Sequence, residues 1–342
     1  MQDDLFGTDA ALPQPSSAPP RKAKGVLPAP ATETLRVLAQ SLPLSLRMGV
    51  STWSYPGWEG LVWDGAYDAS VLSRTGLTAL SQHPLMRTVC VDRSFWRPLS
   101  VEQYAKMAAQ VPPDFRFVVK CPNVVTDAMV RSEEGKGQQR NRAFLNASLA
   151  VEQFVTPTLQ GLGDKLGVLV YQLSPLPWDL LCKSQQLFDQ LGLVLAATRQ
   201  ALQHAPHVIV AVEVRDPLLL EDGFTQVLKA HNATMCLGLH GKMPPIEQQL
   251  PILRKLWPSP FVCRWNLNHC FGPFGYAAAQ EKHQPFNELR TPDPHTRSVL
   301  ASTIRGITQA GQTAFVTISN DAEGCAPQSI QSLAEQLQRL NS

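Results

Sequence analysis

The sequence predicts a single-domain α/β fold, a TIM-like (β/α)8 barrel behind a disordered N-terminal tail. Three observations carry that expectation. Eight short apolar runs recur along the 342 residues, nearly all separated by helical segments. Most of these runs stop abruptly at charged or amide side chains, as barrel strands do at the face that bears the active site. Finally, no G-x-G-x-x-G or Walker sequence occurs to favour an open nucleotide-binding sheet. The clearest run is His207–Pro217. There Val208-Ile209-Val210-Ala211-Val212 has the β-branched composition of a strand buried on both faces, and it ends in Glu213, Arg215, Asp216 and Pro217.

Residues 1–31 are rich in Pro, Ala and Ser and carry too few large apolar side chains to fold alone, so they read as a disordered tail ahead of a barrel domain over 32–342. A short helix follows over Thr32–Leu42, with Thr32 as N-cap. The first strand, Arg47–Ser51, runs into an aromatic, glycine-rich loop, Thr52–Gly60, and then a helix around Val71–Gln82. The second strand, Arg87–Val91, ends in Asp92-Arg93, with a helix capped by Ser100 behind it. The third, Phe115–Val119, ends in Lys120; 132–142 is charged and reads as an exposed loop, with helices beyond it to about Leu162. The fourth, Gly167–Tyr171, ends in Gln172 and is followed by one long helical stretch, Trp178–Gln203. After the fifth strand and a helix near Leu219–His231 comes the sixth, Thr234–Leu239, ending in His240. The seventh, Phe261–Cys263, runs into Arg264-Trp265-Asn266 and a Gly/Pro/aromatic loop reaching Tyr276. A helix over Thr296–Ala310, the eighth strand Thr313–Ile318 ending in Ser319-Asn320-Asp321, and a helix over Pro327–Leu340 close the chain.

A net charge of +2 calls for neither nucleic acid nor an anionic membrane, although a local basic cleft is compatible with it. The seven cysteines are odd in number and scattered without a CxxC pair, which argues against a disulfide framework or structural zinc and for a reducing compartment. The N-terminus lacks the pattern of a signal peptide, and no apolar stretch approaches a membrane span, so the expectation is a cytoplasmic protein without a membrane partner.

In a barrel the strand ends converge. Asp92, Lys120, Gln172, Glu213, Arg215, His240, Arg264, Asn320 and Asp321 should therefore share one mouth. The active reading has Lys120 and Arg264 binding a phosphate or carboxylate and Glu213 acting as general acid or base, with Asp321 as a second carboxylate. Against it stand blander assignments: Lys120 as the structural ion-pair partner of Glu213 or Asp92, Arg215 as a rim residue paired with Asp216, and His240 as a satisfied core histidine. No metal site is expected, because the carboxylates and His240 share the mouth with cations. No cofactor is indicated. The absence of G-x-S-x-G removes a nucleophile elbow.

Several separated blocks resemble the YecE-like proteins, the domain of unknown function 72 family: Gly49–Trp58, Phe95-Trp96-Arg97-Pro98, Phe115–Pro122, Gly163–Gly167 through Gln172-Leu173, Val212–Arg215, and Asn320-Asp321 with Ala326-Pro327. The resemblance covers about Met48 to Leu340. It implies a TIM-barrel-like fold, related in shape to xylose-isomerase and endonuclease-IV barrels, and no assigned reaction. By position it marks Trp53, Tyr55, Lys120, Gln172, Glu213, Arg215, Arg264, Asn320 and Asp321 as recurring polar and aromatic positions of the mouth. This chain departs from the family pattern at Val91-Asp92-Arg93 (usually Glu-Ile-Asn), at Trp265-Asn266 (usually His-Gly) and at Thr126-Asp127 (usually Thr-His).

Two functions follow. One is a hydrolase or nuclease-like enzyme acting on an anionic, phosphate-bearing substrate. The other is a nucleic-acid-binding accessory protein, with Trp53, Trp58 and Trp96 stacking on bases. Its recruitment would run through Gln2-Asp3-Asp4-Leu5-Phe6, which resembles the peptide by which bacterial proteins dock on the DNA sliding clamp: Gln2 and Asp4 for polar contacts, Leu5 and Phe6 for an apolar pocket.

Overall fold

A computed structural model describes residues 25–132 and 137–341. Eight strands form the barrel: β1 (Leu46–Val50), β2 (Thr88–Val91), β3 (Arg116–Lys120), β4 (Leu166–Gln172), β5 (Ile209–Glu213), β6 (Thr234–Leu239), β7 (Phe261–Trp265) and β8 (Ala314–Ile318). They close in the order β1-β8-β7-β6-β5-β4-β3-β2, and every neighbouring pair is parallel. All eight expected strands are present, the seventh two residues longer than its apolar run because Arg264 and Trp265 stay in the ladder.

Alternation along the strands builds two cores. Successive side chains of a strand point to opposite faces. One set fills the barrel with small or branched groups, Cys90, Val118, Val168, Val170, Ala211, Cys236 and Val262, together with the larger ring of Phe315. The other set packs outward against the helices, with Phe117, Val119, Leu169, Tyr171, Val210, Val212 and Leu237 fully buried there. At about 1.5–3 kcal/mol for each large apolar side chain buried, this double-sided burial is the main source of stability.

The helices follow local signals where those are strong. Ser100 caps Val101–Ala108 in a capping box: its Oγ accepts from Gln103 N at 3.3 Å and its own N–H donates to Gln103 Oε1 at 2.8 Å. Thr32 accepts from Leu35 N and opens Glu33–Gln40. Elsewhere the structure corrects the expectation. The stretch around Val71–Gln82 is two helices, Ala69–Thr75 and Leu77–Leu80, that meet at Gly76. The long stretch at Trp178–Gln203 breaks at Cys182-Lys183 into Trp178–Leu181 and Ser184–Ala201. Ile246–Lys255 is a helix that its internal Pro251 conceals, and Tyr276–His283 is a helix at the end of the supposed loop. Within 132–142, Gly137–Arg140 pairs antiparallel with Met129–Arg131 instead of forming a loop.

The tail expectation needs a new boundary. From Gly25 onward the chain is packed: Val26 is buried, Ala29 N donates to Val62 O at 2.9 Å, and Asp64 N donates to Leu27 O at 3.1 Å. These contacts lay 25–31 against the loop after β1, whose Trp58 and Trp63 rings stack with centroids 6.0 Å apart. Gln2, Asp4, Leu5 and Phe6 lie outside the described residues. Among the described residues no helix is long and apolar enough to cross a membrane.

Candidate active site at the barrel mouth

The floor of the mouth is the next inward layer above the apolar interior. Two residues beyond Cys90, Val118, Val170, Ala211 and Val262 stand Asp92, Lys120, Gln172, Glu213 and Arg264. Period two therefore converts five interior positions into five polar ones at a single level. Gly238 occupies the same level on β6, and a Cβ there would lie 3.0 Å from Glu213 Oε1, so the glycine makes room for the carboxylate.

Arg264 and Glu213 organise this layer. Glu213 is fully buried, and its two oxygens each take an arginine: Arg264 Nη1 at 2.7 Å on Oε2 and Arg215 Nη2 at 2.7 Å on Oε1. Arg264 Nη2 reaches across to Asp92, 2.7 and 2.9 Å from its two oxygens. Gln172 Oε1 accepts from both guanidinium groups, at 3.0 Å from Arg215 and 3.3 Å from Arg264. Asn266 Nδ2 lies 3.4 Å from Glu213 Oε1 and donates to Arg264 O at 3.1 Å.

This geometry revises the sequence-based roles. Burial alone would push the Glu213 carboxyl up, but Arg215, Arg264 and Lys120 outweigh it and hold it down at about 2. With both oxygens engaged, Glu213 is held as the carboxylate that anchors two arginines. Arg264 is 2% exposed and donates to Asp92, Glu213 and Gln172, so it does not reach an incoming anion. Asp92 is likewise committed to Arg264, and Cys90 Sγ sits 3.1 Å from its Oδ1. Arg215 pairs with Glu213 and not with Asp216, which accepts from Leu176 N.

Lys120 is the cation left over. It is buried, and among the described residues no carboxylate lies within ion-pair distance of it; its Nζ sits instead over the Phe95 ring, 3.6 Å from the centroid. The structural pair with Glu213 or Asp92 does not form, because Arg264 and Arg215 hold those oxygens. Burial, then the positive field of Arg264, lowers the ammonium to about 8.

Lys120, Gln172, Arg215, His240 and Asp321 line one cleft of about 550 Å3. Asp321 follows β8 in the short helix Asn320–Glu323, capped by Ser319, whose Oγ accepts from Asp321 N at 3.2 Å. Burial raises its carboxyl to about 6, in the range where a proton can move either way near neutral pH. His240 Nδ1 accepts from Lys242 N at 3.0 Å, which places the proton of the neutral ring on Nε2; burial and Arg215 lower it to about 3, so the ring stays neutral.

Four expected contact residues are engaged within the fold. Asn320 Oδ1 accepts from Trp58 Nε1 at 3.3 Å and Ala326 N at 2.8 Å, pinning the β1 loop to the last helix. Trp53 is 3% exposed, with Arg93 over its ring, and Trp58 is fully buried, so neither offers a face to a base. Tyr55 packs between Trp58 and Phe286, its hydroxyl pushed up to about 12 by burial and Asp321. Of the aromatic group only Trp96 is open, at 75% exposure, and it lines the cleft. Lys242 and Tyr276, which the sequence does not single out, also line the cleft; Lys242 stands two residues past His240, as Asn266 does past Arg264, where the strand-end argument applies. Among the described residues no three His, Cys, Asp or Glu side chains gather as metal ligands.

A closed parallel barrel with a charged network across the C-terminal ends of its strands defines the class, a TIM-like α/β barrel. The chain belongs to the family described as "Protein of unknown function DUF72", whose model matches residues 47–342. Solved structures agree on the fold. A DUF72 family protein from Thermotoga maritima aligns with a TM-score of 0.53 at 17% identity, covering 86% of this chain and 98% of its own. Another from Enterococcus faecalis aligns at 0.50 and 14% identity, covering 85% and 95%. A D-tagatose 3-epimerase-like protein aligns at 0.52 and 13% identity, covering 86% and 98%. At these identities the likeness is one of fold. No curated protein matches the chain.

Replacing Arg264 by Met should cost about 3–5 kcal/mol in denaturant unfolding, because it strands the Glu213 and Asp92 charges. Adding Glu213→Gln to that variant should recover part of the loss. A cost below about 1 kcal/mol, with no recovery, would contradict the network described.

Proposed function

We propose that the barrel mouth binds an anionic small molecule, bearing phosphate or carboxylate, and exchanges a proton with it. Lys120 takes the anion and Asp321 the proton. The observation that carries this reading is the unpaired, buried Lys120 ammonium at the wall of a cleft that Asp321 shares. An ammonium lowered by burial gains most from an arriving negative charge, which restores its full affinity for the proton. Arg215, held by Glu213 with its Nε free of any protein partner among the described residues, adds positive field at the same cleft.

Hydrolysis of a phosphate-bearing ester fits this pair of groups. The Asp321 carboxylate accepts a proton from water as the water oxygen bonds to the electrophilic centre. The ester bond breaks, and the proton passes to the departing oxygen. The seven cysteines are free thiols, in keeping with a reducing, cytoplasmic setting.

Inorganic phosphate or a small phosphate ester should raise the melting temperature of the intact protein, and Lys120→Met should abolish the shift. Affinity should fall as pH rises through about 8, where free Lys120 loses its proton, and calorimetry in that range should show proton uptake on binding. Asp321→Asn should leave the shift and remove turnover. Wild-type protein with no shift toward any phosphate or carboxylate would sink the reading.

The Gln2–Phe6 peptide favours a second reading, in which the anion is nucleic acid and the protein is brought to DNA by the sliding clamp. Full-length protein should then bind a purified bacterial clamp, and the Leu5→Ala/Phe6→Ala variant should not. Equal binding by both, or none by either, removes this reading.

A further inference from the structure

We propose that the anion bound at the mouth carries a planar aromatic ring, as a nucleotide does, with the ring stacked on Trp96 and Phe274 and the phosphate at Lys120. This rests on the anion reading given above and goes further by naming the class of ligand.

The first support is exposure. Phe274 at 83% and Trp96 at 75% are among the most exposed large apolar side chains of the described residues. A ring left in water forgoes the burial that such side chains normally obtain. These two do not lie at scattered places. They come from separate loops, after β2 and after β7, and line the same cleft as Lys120. Concave sites that pair apolar walls with a few placed polar groups are where small ligands bind, and about 550 Å3 is within their usual range.

The second support is continuity between the rings and the cations. The Phe95 ring meets Trp96 edge to face with centroids 5.3 Å apart, and the same Phe95 ring carries Lys120 Nζ 3.6 Å from its centroid. The open indole and the unpaired ammonium are thus one Phe95 ring apart. On the β7 side Lys242 Nζ lies 4.5 Å from the Phe274 centroid, and Tyr276 packs on His240 with centroids 5.3 Å apart. Each wall therefore presents an aromatic surface with a cation beside it. A ligand with a π-face and a negative group separated by a short linker matches both walls. A bare phosphate or a sugar phosphate uses only the cations.

The third support is His240. Its Nδ1 is occupied by Lys242 N–H, so Nε2 bears the hydrogen, and no partner for Nε2 is found among the described residues. Because the ring stays neutral near pH 7, it is a hydrogen-bond donor without charge. That suits a ring nitrogen or carbonyl oxygen on the edge of a base.

The test uses intact protein and three probes measured by titration calorimetry: inorganic phosphate, ribose 5-phosphate and adenosine monophosphate. Adenosine monophosphate should bind at least about tenfold more tightly than ribose 5-phosphate, the scale that base–aromatic stacking supplies. In the Trp96→Ala/Phe274→Ala double variant that ratio should fall to about one. Both side chains are exposed, so the variant keeps its core, and an unchanged unfolding transition verifies this. Equal affinity for the two probes in the wild type would overturn the proposal while leaving the anion reading intact, provided ribose 5-phosphate binding is lost in Lys120→Met. An undiminished ratio in the double variant would also overturn it. Failure of all three probes to bind would overturn the proposal and, with it, the phosphate form of the anion reading.

Discussion

Arg264 is the side chain on which the mouth depends. Its guanidinium is almost wholly buried and joins β7 to Glu213 on β5 and to Asp92 beyond β2, with Gln172 of β4 completing the contact. A charge so placed persists only if its surroundings are ionised and hydrogen-bonded, since stripping an ion of water costs several kcal/mol. The barrel meets that condition with two carboxylates and an amide from three other strand ends. In doing so it fixes how those strand ends stand relative to one another. The network is therefore a brace across the mouth, and it also decides which groups remain for a ligand.

What remains is informative. Because Glu213 and Asp92 serve arginines, Lys120 has no carboxylate, and at Asp321 burial outweighs the hydrogen bond from Ser319 and lifts the carboxyl toward neutrality. A buried cation without a carboxylate and a carboxyl raised toward neutrality arise together from one distribution of charge. Three further polar side chains near the mouth are engaged in the same way. Asp92 supplies the second carboxylate for Arg264, Asn266 contacts both Glu213 and the Arg264 carbonyl, and Asp127 pairs with Arg131 at 2.6 Å.

The barrel was legible in the sequence because its strands are buried on both faces. Continuous β-branched runs such as Val208–Val212 have few other structural readings. The members of the mouth were legible too, since strand ends converge in any such barrel. Their pairing was not. Period two says that Lys120 and Glu213 share a level, but which cation reaches which carboxylate depends on side-chain length and direction across the barrel. Arg264 outreaches Lys120 for Glu213. The loop aromatics misled for a related reason: Trp53, Trp58 and Trp96 are equivalent by composition, yet only Trp96 lacks a packing partner large enough to cover it. The helix at Ile246–Lys255 was hidden by Pro251, whose cost is borne by the packing of Ile246, Ile252 and Leu253.

The anion reading depends on Lys120 being a buried cation without a carboxylate partner. A direct measurement is an NMR titration of the lysine ε-methylene resonances in the ligand-free protein, with Lys120 assigned by the signal missing from Lys120→Met. A midpoint near 8, well under the usual 10.5, is the result this account predicts. A midpoint at or above 10.5 would mean that a carboxylate holds Lys120, and the anion reading would lose the cation on which it rests.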